Sequence, residues 1–462
     1  MIEQITETVL ARIRNPVFRA NAELYLDIAK DFLEQVETYG VPLAPVADRR
    51  AGDATGKGPG SSGGATDGPD GCLLDALTAR GVTVANDGKS LHANWISPSC
   101  VSCRRGVGTA TYLLSTQCPR DCFFCFNHNQ GNYEELQEAL DDPAARLTEL
   151  HAQGVPFHDL ALTGGEPLLH KDETAEFFRT VQRLYPDAYT RLYTSGAFLD
   201  EGFLAVLADA GLDEIRFSVK TDDPPAAQRR LFELMRLART ALPAVVVEMP
   251  VMPDELEPMQ DLLRALDGIG IDGINLLELC FPYHNAEEFN RRGYLIKNPP
   301  YRVLYDYWYA GGLPVAGSEE ACLALLGFAV EKGLALGVHY CSLENKFSGQ
   351  IYLQNAPQKE RYPFCTFSER DCFLKSAKAF GRDVAPVEKA LLKQGLRRLR
   401  KEEDGSLLEF PLTYVERLRK ALPQLELGVS YHVVEEDEGG PSLRELRLDL
   451  TTPASFDLDS DG

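Results

Sequence analysis

The sequence predicts an α/β protein built on a parallel sheet, closed or partly closed as a barrel, with a helical extension before it and a small α+β extension after it. Three observations carry this. Short apolar, β-branched runs alternate with amphipathic stretches from residue 109 to residue 280. A Gly/Ser/Asp-rich stretch separates that region from a helical pattern at the start of the chain. Beyond residue 280 the alternation breaks down.

Residues 1–47 carry the helical pattern: Val9, Ile13, Val17, Leu24, Ile28, Phe32 and Val36 recur at helical spacings, and Pro16 divides it into two helices. Residues 48–71 are nearly devoid of apolar groups and are expected to be a flexible linker. Residues 72–106 hold a hairpin turning at Asn86-Asp87-Gly88 and then Cys100 and Cys103. The core, 107–281, has strand-like runs at 111–115, 159–164, 190–195, 214–220, 244–249 and 274–279. Amphipathic stretches lie between them at 133–152, 172–185, 201–211, 225–241 and 256–267. In such a fold the ligand sits where the loops gather, at the C-terminal ends of the strands. The extension, 282–450, reads as a helix at 319–334, strands at 337–342 and 350–354, a basic helix at 387–401 and a β-pair at 428–434 and 443–448. The tail, 451–462, is expected to be disordered.

A net charge of −22 and a pI near 4.9 argue against nucleic acid as the main partner, because phosphate binding needs a positive surface. The first fifteen residues lack the apolar core of a secretory leader. No span reaches ~20 apolar residues, and the richest window, 321–338, is interrupted by Glu331 and Lys332. A cytoplasmic location without membrane contact is therefore expected, with the eleven cysteines as reduced thiols and metal ligands.

The first predicted strand runs into Cys118, Cys122 and Cys125, a C-x3-C-x2-C spacing. Close cysteines can form disulfides, bind zinc or be coincidental. Zinc knuckles favour paired C-x2-C units, so this spacing fits an iron–sulfur cluster better. Three thiolates leave the fourth iron of a cube open to an exogenous chelator. After the second strand stands Gly164-Gly165-Glu166-Pro167. Two glycines let a backbone pass close to a ligand, and the carboxylate is expected to receive an ammonium group.

The two motifs, one β-α unit apart, resemble the radical S-adenosylmethionine (SAM) superfamily over residues 107–281. The resemblance implies a partial (β/α)6 barrel of parallel strands, a [4Fe-4S] cluster on Cys118, Cys122 and Cys125, and SAM chelated to the open iron. Gly164 to Pro167 match the motif that holds the SAM amino group, and Phe124 matches the aromatic near the adenine. Ser195, at the end of strand three, and Ser218 with Lys220, in strand four, match ribose or carboxylate contacts. Glu248, in strand five, is expected as a further polar contact. The implied function is reductive cleavage of SAM to a 5′-deoxyadenosyl radical, which abstracts hydrogen from a peptide or protein side chain or a small molecule. The implied partners are that substrate and a low-potential electron donor such as a ferredoxin or flavodoxin. A glycyl-radical activase is a narrower version, against which stands the late position of the cysteine triad. The alternative is a non-catalytic iron–sulfur or zinc protein, an electron carrier or scaffold, which would not need Gly164 to Pro167.

Many relatives in this superfamily carry auxiliary clusters, and this chain resembles them in cysteine richness without the full SPASM pattern. Cys100, Cys103, Cys341 and one of Cys365 or Cys372 are a candidate second site, a second [4Fe-4S] cluster or a zinc. Cys103 precedes strand one and is expected at the barrel's bottom. The site then requires that residues 337–342 not be a parallel barrel strand.

Overall fold

The computed structural model describes residues 1–45, 71–307 and 311–461. Apart from Gly71, the linker expected at 48–71 lies outside the described residues.

Helices α1 (Glu7–Arg12) and α2 (Pro16–Glu37) open the chain. Pro16 starts α2, its missing N–H being one the first turn leaves unpaired anyway, and the Asn15 side chain caps Val17 and Phe18. After α3 (Gly71–Thr78) come the hairpin strands β1 (Thr83–Ala85) and β2 (Ser90–Ala93), then α4 (Pro98–Cys103). The expected turn at Asn86-Asp87-Gly88 holds, with positive φ at all three residues.

Five β-α steps and a sixth strand follow: β3 (Thr109–Leu113), α5 (Tyr133–Glu138), α6 (Pro143–Ala152), β4 (Asp159–Thr163), α7 (Lys171–Leu184), β5 (Tyr189–Thr194), α8 (Glu201–Asp209), β6 (Glu214–Phe217), α9 (Pro225–Ala241), β7 (Ala244–Val251), α10 (Leu256–Ile269) and β8 (Gly273–Glu278). The chain continues through β9 (Cys280–Phe281), α11 (Ala286–Arg291), β10 (Leu313–Pro314), α12 (Ser318–Lys332), β11 (Gly337–Cys341) and α13 (Leu343–Asn355). β3 to β8 pair in parallel, each with the next, and β11 adds a seventh parallel strand beside β8. β2 pairs antiparallel with β11, so the nine-stranded sheet runs β1-β2-β11-β8-β7-β6-β5-β4-β3. Its edges, β1 and β3, do not pair with each other, and the barrel is partial. Leu160, Leu192, Ile215, Val245, Val247, Ile274 and Leu276 are buried where the helices cover the sheet, which is why these strands read as apolar runs.

The last part of the chain holds β12 (Thr366–Phe367), β13 (Leu374–Phe380), α14 (Val384–Lys393), β14 (Arg400–Lys401), β15 (Leu407–Pro411), β16 (Leu427–Asp437), β17 (Gly440–Thr451) and α15 (Leu458–Asp461). These strands form a second sheet, β14-β15-β13-β16-β17, with β12 on β13. The two ends of the chain meet there: Glu3 bridges to Leu450, and Phe18 stacks on Phe380 with centroids 4.6 Å apart.

Four expectations for the extensions are corrected. Residues 350–354 lie within α13, because Ser342 caps that helix and Phe347 and Ile351 bury one face of it. The basic helix ends at Lys393 rather than 401, where the chain turns to pair β14 with β15. The tail is ordered through Phe456, which is buried in the apolar core of the second sheet. Residues 337–341 form a parallel strand, placing Cys341 at the C-terminal end of the barrel.

Candidate functional site

Beyond β3 the chain forms a loop rather than continuing the sheet. Thr116 donates its N–H to Leu136 O (3.0 Å) and its hydroxyl to Tyr133 O (2.8 Å), so α5 carries the loop from outside. Cys118, Cys122 and Cys125 follow, all free thiols, the first exposed and the others half-buried. Cys125 N–H bonds Cys122 O (2.9 Å), folding the last two thiols into one turn. Burial pushes the Cys118 and Cys125 thiols up from the ordinary thiol range. Metal binding there would displace protons.

The Gly164–Pro167 turn, at the end of β4, is stitched directly to this loop. Gly165 and Glu166 N–H groups bond Ser115 O and Gln117 O, each at 2.8 Å, and Asn127 Nδ2 donates to Gly164 O (2.7 Å). The glycines are required by this close approach. A Cβ on Gly164 would lie 2.2 Å from Ser115 O, one on Gly165 2.1 Å from Gln117 O, and Gly164 also has φ +138°. Arg120 adds an ion pair at 3.0 Å to Asp223, in the loop after β6.

Glu166 is held by four hydrogen bonds. Its carboxylate is 1% exposed and accepts from Thr194 Oγ1 (2.7 Å), Ser195 N (2.7 Å), the Ser195 hydroxyl and Leu168 N (3.1 Å). With its lone pairs so used, it anchors the turn to β5. Ser195 is thereby a partner of Glu166. Ser218 and Lys220 lie in the loop after β6, because that strand ends at Phe217; Ser218 is exposed and Lys220 half-buried. Phe124 is half-buried, edge-on to Phe123 at 5.1 Å, against a core that includes Phe281 and Phe289.

The barrel interior is polar where a core would be apolar. α4 enters it from below: Ser97, just before α4, donates to Glu214 at the start of β6, and Cys100 Sγ lies 3.5 Å from Arg216 Nη2 and 3.4 Å from Asn275 Nδ2. Arg216 also binds Glu214 and Glu248, Asn275 donates to Glu248 Oε2 (2.7 Å), and His339 bridges Asn275 and Ser90 at 3.0 and 2.9 Å. Burial pushes Glu248 up, but Arg216, Lys346 and Asn275 outweigh it and hold the carboxyl at about 2. Glu248 is thus held in an internal ion pair with Arg216.

The candidate second site is brought together in part. Cys341 interacts electrostatically with Cys100 and Cys103, and the Arg104 guanidinium with all three thiols. The condition that residues 337–342 leave the sheet is not met. It is not needed either, because α4 carries Cys100 and Cys103 up inside the barrel. Asn345 Nδ2 donates to Cys341 Sγ (3.2 Å), so N–H groups face two of the three sulfurs, which suits anionic sulfur. Cys372 lines a cavity of about 1030 Å³ with Val101, Arg104 and Arg105 at the outer side of α4. Cys365 sits elsewhere, against Glu409, Arg400 and Lys378 of the second sheet.

Asn127, Thr194, Arg216 and Lys346 were not singled out from the sequence. Arg191 and Arg216, each inside an apolar strand run, were the available signal of a charged barrel interior. Cys280, in β9, is buried, and burial, with Glu278 and Cys125 among its neighbours, pushes its thiol up to about 12.

Residues 112–266 match the family model described as Radical SAM superfamily. A putative glycyl-radical enzyme activating enzyme of Methanocaldococcus jannaschii is 24% identical over 303 residues, 62% of this chain and 74% of that one. A PqqA peptide cyclase of Granulibacter bethesdensis is 25% identical over 166 residues, 34% of this chain and 43% of that one. Among solved structures, Streptococcus suis SuiB bound to precursor peptide SuiA aligns with a TM-score of 0.32 and 14% identity, covering 55% of this chain and 54% of that one. The chain thus spans well under two thirds of the peptide cyclase and of SuiB. No described helix is long and apolar enough to cross a membrane.

Proposed function

This chain belongs to the radical SAM superfamily through its domain at residues 112–266, and we propose that it takes a hydrogen atom from a peptide or protein side chain. Bound together, a [4Fe-4S] cluster and SAM would supply reductive cleavage of SAM to methionine and a 5′-deoxyadenosyl radical. The observation that carries the reading is the stitching of the three-thiol loop to the Gly164–Pro167 turn by three hydrogen bonds: Gly165 N to Ser115 O, Glu166 N to Gln117 O, and Asn127 Nδ2 to Gly164 O. A scaffold for a cluster alone has no use for a second turn held at that distance.

Cys118, Cys122 and Cys125 hold the cluster. The Gly164–Pro167 turn would hold the amino group of SAM, and Phe124 with the loop after β6 would border the rest of the cofactor. Arg216, Glu248 and Asn275 keep the barrel interior fixed and charged beneath the substrate, and the strand walls exclude water. Electrons come from a low-potential donor such as a ferredoxin or flavodoxin. Cys100, Cys103 and Cys341 hold a second metal centre, iron–sulfur or zinc. The polypeptide substrate is supported by the relatives' names, one an activator of an enzyme and the other a peptide cyclase. Alignment with the activating enzyme over 303 residues favours, as the second reading, a folded protein as that substrate.

The test is release of 5′-deoxyadenosine by reduced, reconstituted protein supplied with SAM under anaerobic conditions. Release that disappears in Cys122→Ala, with loss of the cluster absorbance, is the expected result. No release from the intact protein would favour a non-catalytic carrier or scaffold.

A further inference from the structure

The second sheet buries a polar cluster that the radical chemistry does not use. β13, β15, β16 and β17 place Lys378, Glu409, Ser430, His432 and Glu445 together on one face of the sheet. The register sets Lys378 opposite Glu409 and His432 opposite Glu445. α2 covers this face, Phe18 stacking on Phe380 and Tyr25 bonding Glu445. One ligand atom each of Glu409, His432 and Glu445 lies within 4.8 Å of the others.

The histidine shows what the cluster lacks. Its Nδ1 lies 3.1 Å from Leu374 O, and a carbonyl can only accept, so Nδ1 carries the proton. Nε2 of the neutral ring then presents a lone pair toward Glu409 Oε1, 3.9 Å away, with no hydrogen-bond partner and with the residue 1% exposed. A lone pair facing carboxylates in a buried site calls for a cation between them. Lys378 marks where such a cation goes: its ammonium is 3.1 Å from Glu409 Oε1 and touches Glu445, while Nε2 stays unpartnered.

We propose that Glu409, His432 and Glu445 form a divalent metal site in the second sheet, suited to zinc by its imidazole and carboxylate donors. The half-buried Cys365 thiol, within electrostatic reach of Glu409 and Glu445, is available as a soft fourth ligand. Lys378 holds the two carboxylates apart from the ion and must swing away as it enters, so the lysine and the metal compete. The site is independent of the three-thiol loop, and its failure would leave the radical reading untouched.

The experiment equilibrates the reconstituted full-length Cys100→Ala, Cys103→Ala variant, in which the other candidate zinc site is removed, with Zn2+ alone and measures bound zinc, its affinity and its X-ray absorption edge. The expected result is a zinc ion in a shell dominated by nitrogen and oxygen. His432→Gln should weaken that binding at least ~10-fold, and Lys378→Met, which removes a like charge from beside the ion, should tighten it by ~10-fold. A sulfur-rich shell, or unchanged affinity in Lys378→Met, overturns the proposal even where His432→Gln fails to fold. Cleavage of SAM by a folded His432→Gln protein stays at the wild-type level.

Discussion

A single methyl group on Gly165 would separate the two halves of the candidate site. Its Cβ would stand 2.1 Å from Gln117 O, and that contact is backbone on both sides, so no side chain can turn away to relieve it. Gly165→Ala should weaken SAM binding by at least ~10-fold while the three cysteines still take up iron. SAM affinity and iron content measured on the same sample check this, and unchanged affinity would remove the turn from the cofactor site. Glu248 gives a residue-scale prediction in pH. Its folded carboxyl sits at about 2 against an ordinary 4.5, so the stability it contributes is fully present above pH 4.5 and is lost as pH falls toward 2. Between pH 6 and pH 4 the wild type should lose about 1 kcal/mol more than Glu248→Gln, from the unfolded-state protonation of one carboxyl. Urea midpoints at the two pH values measure the difference, and parallel losses would mean that Glu248 is not held charged.

At the scale of elements, α4 matters most, since six residues from the N-terminal side of the sheet supply two thiols to its interior. If Cys100 and Cys103 bind metal with Cys341, the Cys100→Ala, Cys103→Ala double variant loses iron or zinc beyond the three-thiol loop's share. Unchanged metal content would leave α4 as packing alone. This path was the least legible feature in the sequence. The strands from β4 to β8 could be read because they are mostly buried and predominantly apolar, and the helices because their apolar residues recur at helical spacing. The cysteine triad and the Gly164–Pro167 turn could be read because each is contiguous. PSCVSC has neither periodicity nor length, and only tertiary contacts with Arg216 and Asn275 decide that it runs inside the barrel. β11 was placed outside the barrel for a related reason: a long excursion through α11 and α12 hides its pairing with β8. The bonds that fix Glu166 were not legible either, because they come from the end of β5, some thirty residues on.

Across the whole molecule, α2 joins two regions that the sequence sets at opposite ends of the chain. With 22 residues it is about 33 Å long. Near its start Phe18 is fully buried against Phe380 of the second sheet, and near its end Phe32 and Val36 pack on the aromatic core that also carries Phe123 and Phe124 of the three-thiol loop. The two ends of the helix therefore serve different structures, and truncations at each should separate. Phe18→Ala opens a cavity in the second sheet and should cost it about 3–5 kcal/mol. It should leave iron retention by the triad as in the wild type, since that loop is held by α5, the Gly164–Pro167 turn and Asp223. Phe32→Ala removes half-buried support beneath Phe123 and Phe124, so it should speed loss of iron to a chelator while costing the second sheet less than Phe18→Ala does. Denaturant unfolding and chelator-driven bleaching of the cluster, run on both variants, read the two effects separately. If both variants lose iron and sheet stability in the same proportion, α2 does not divide its work, and barrel and second sheet unfold as one cooperative unit.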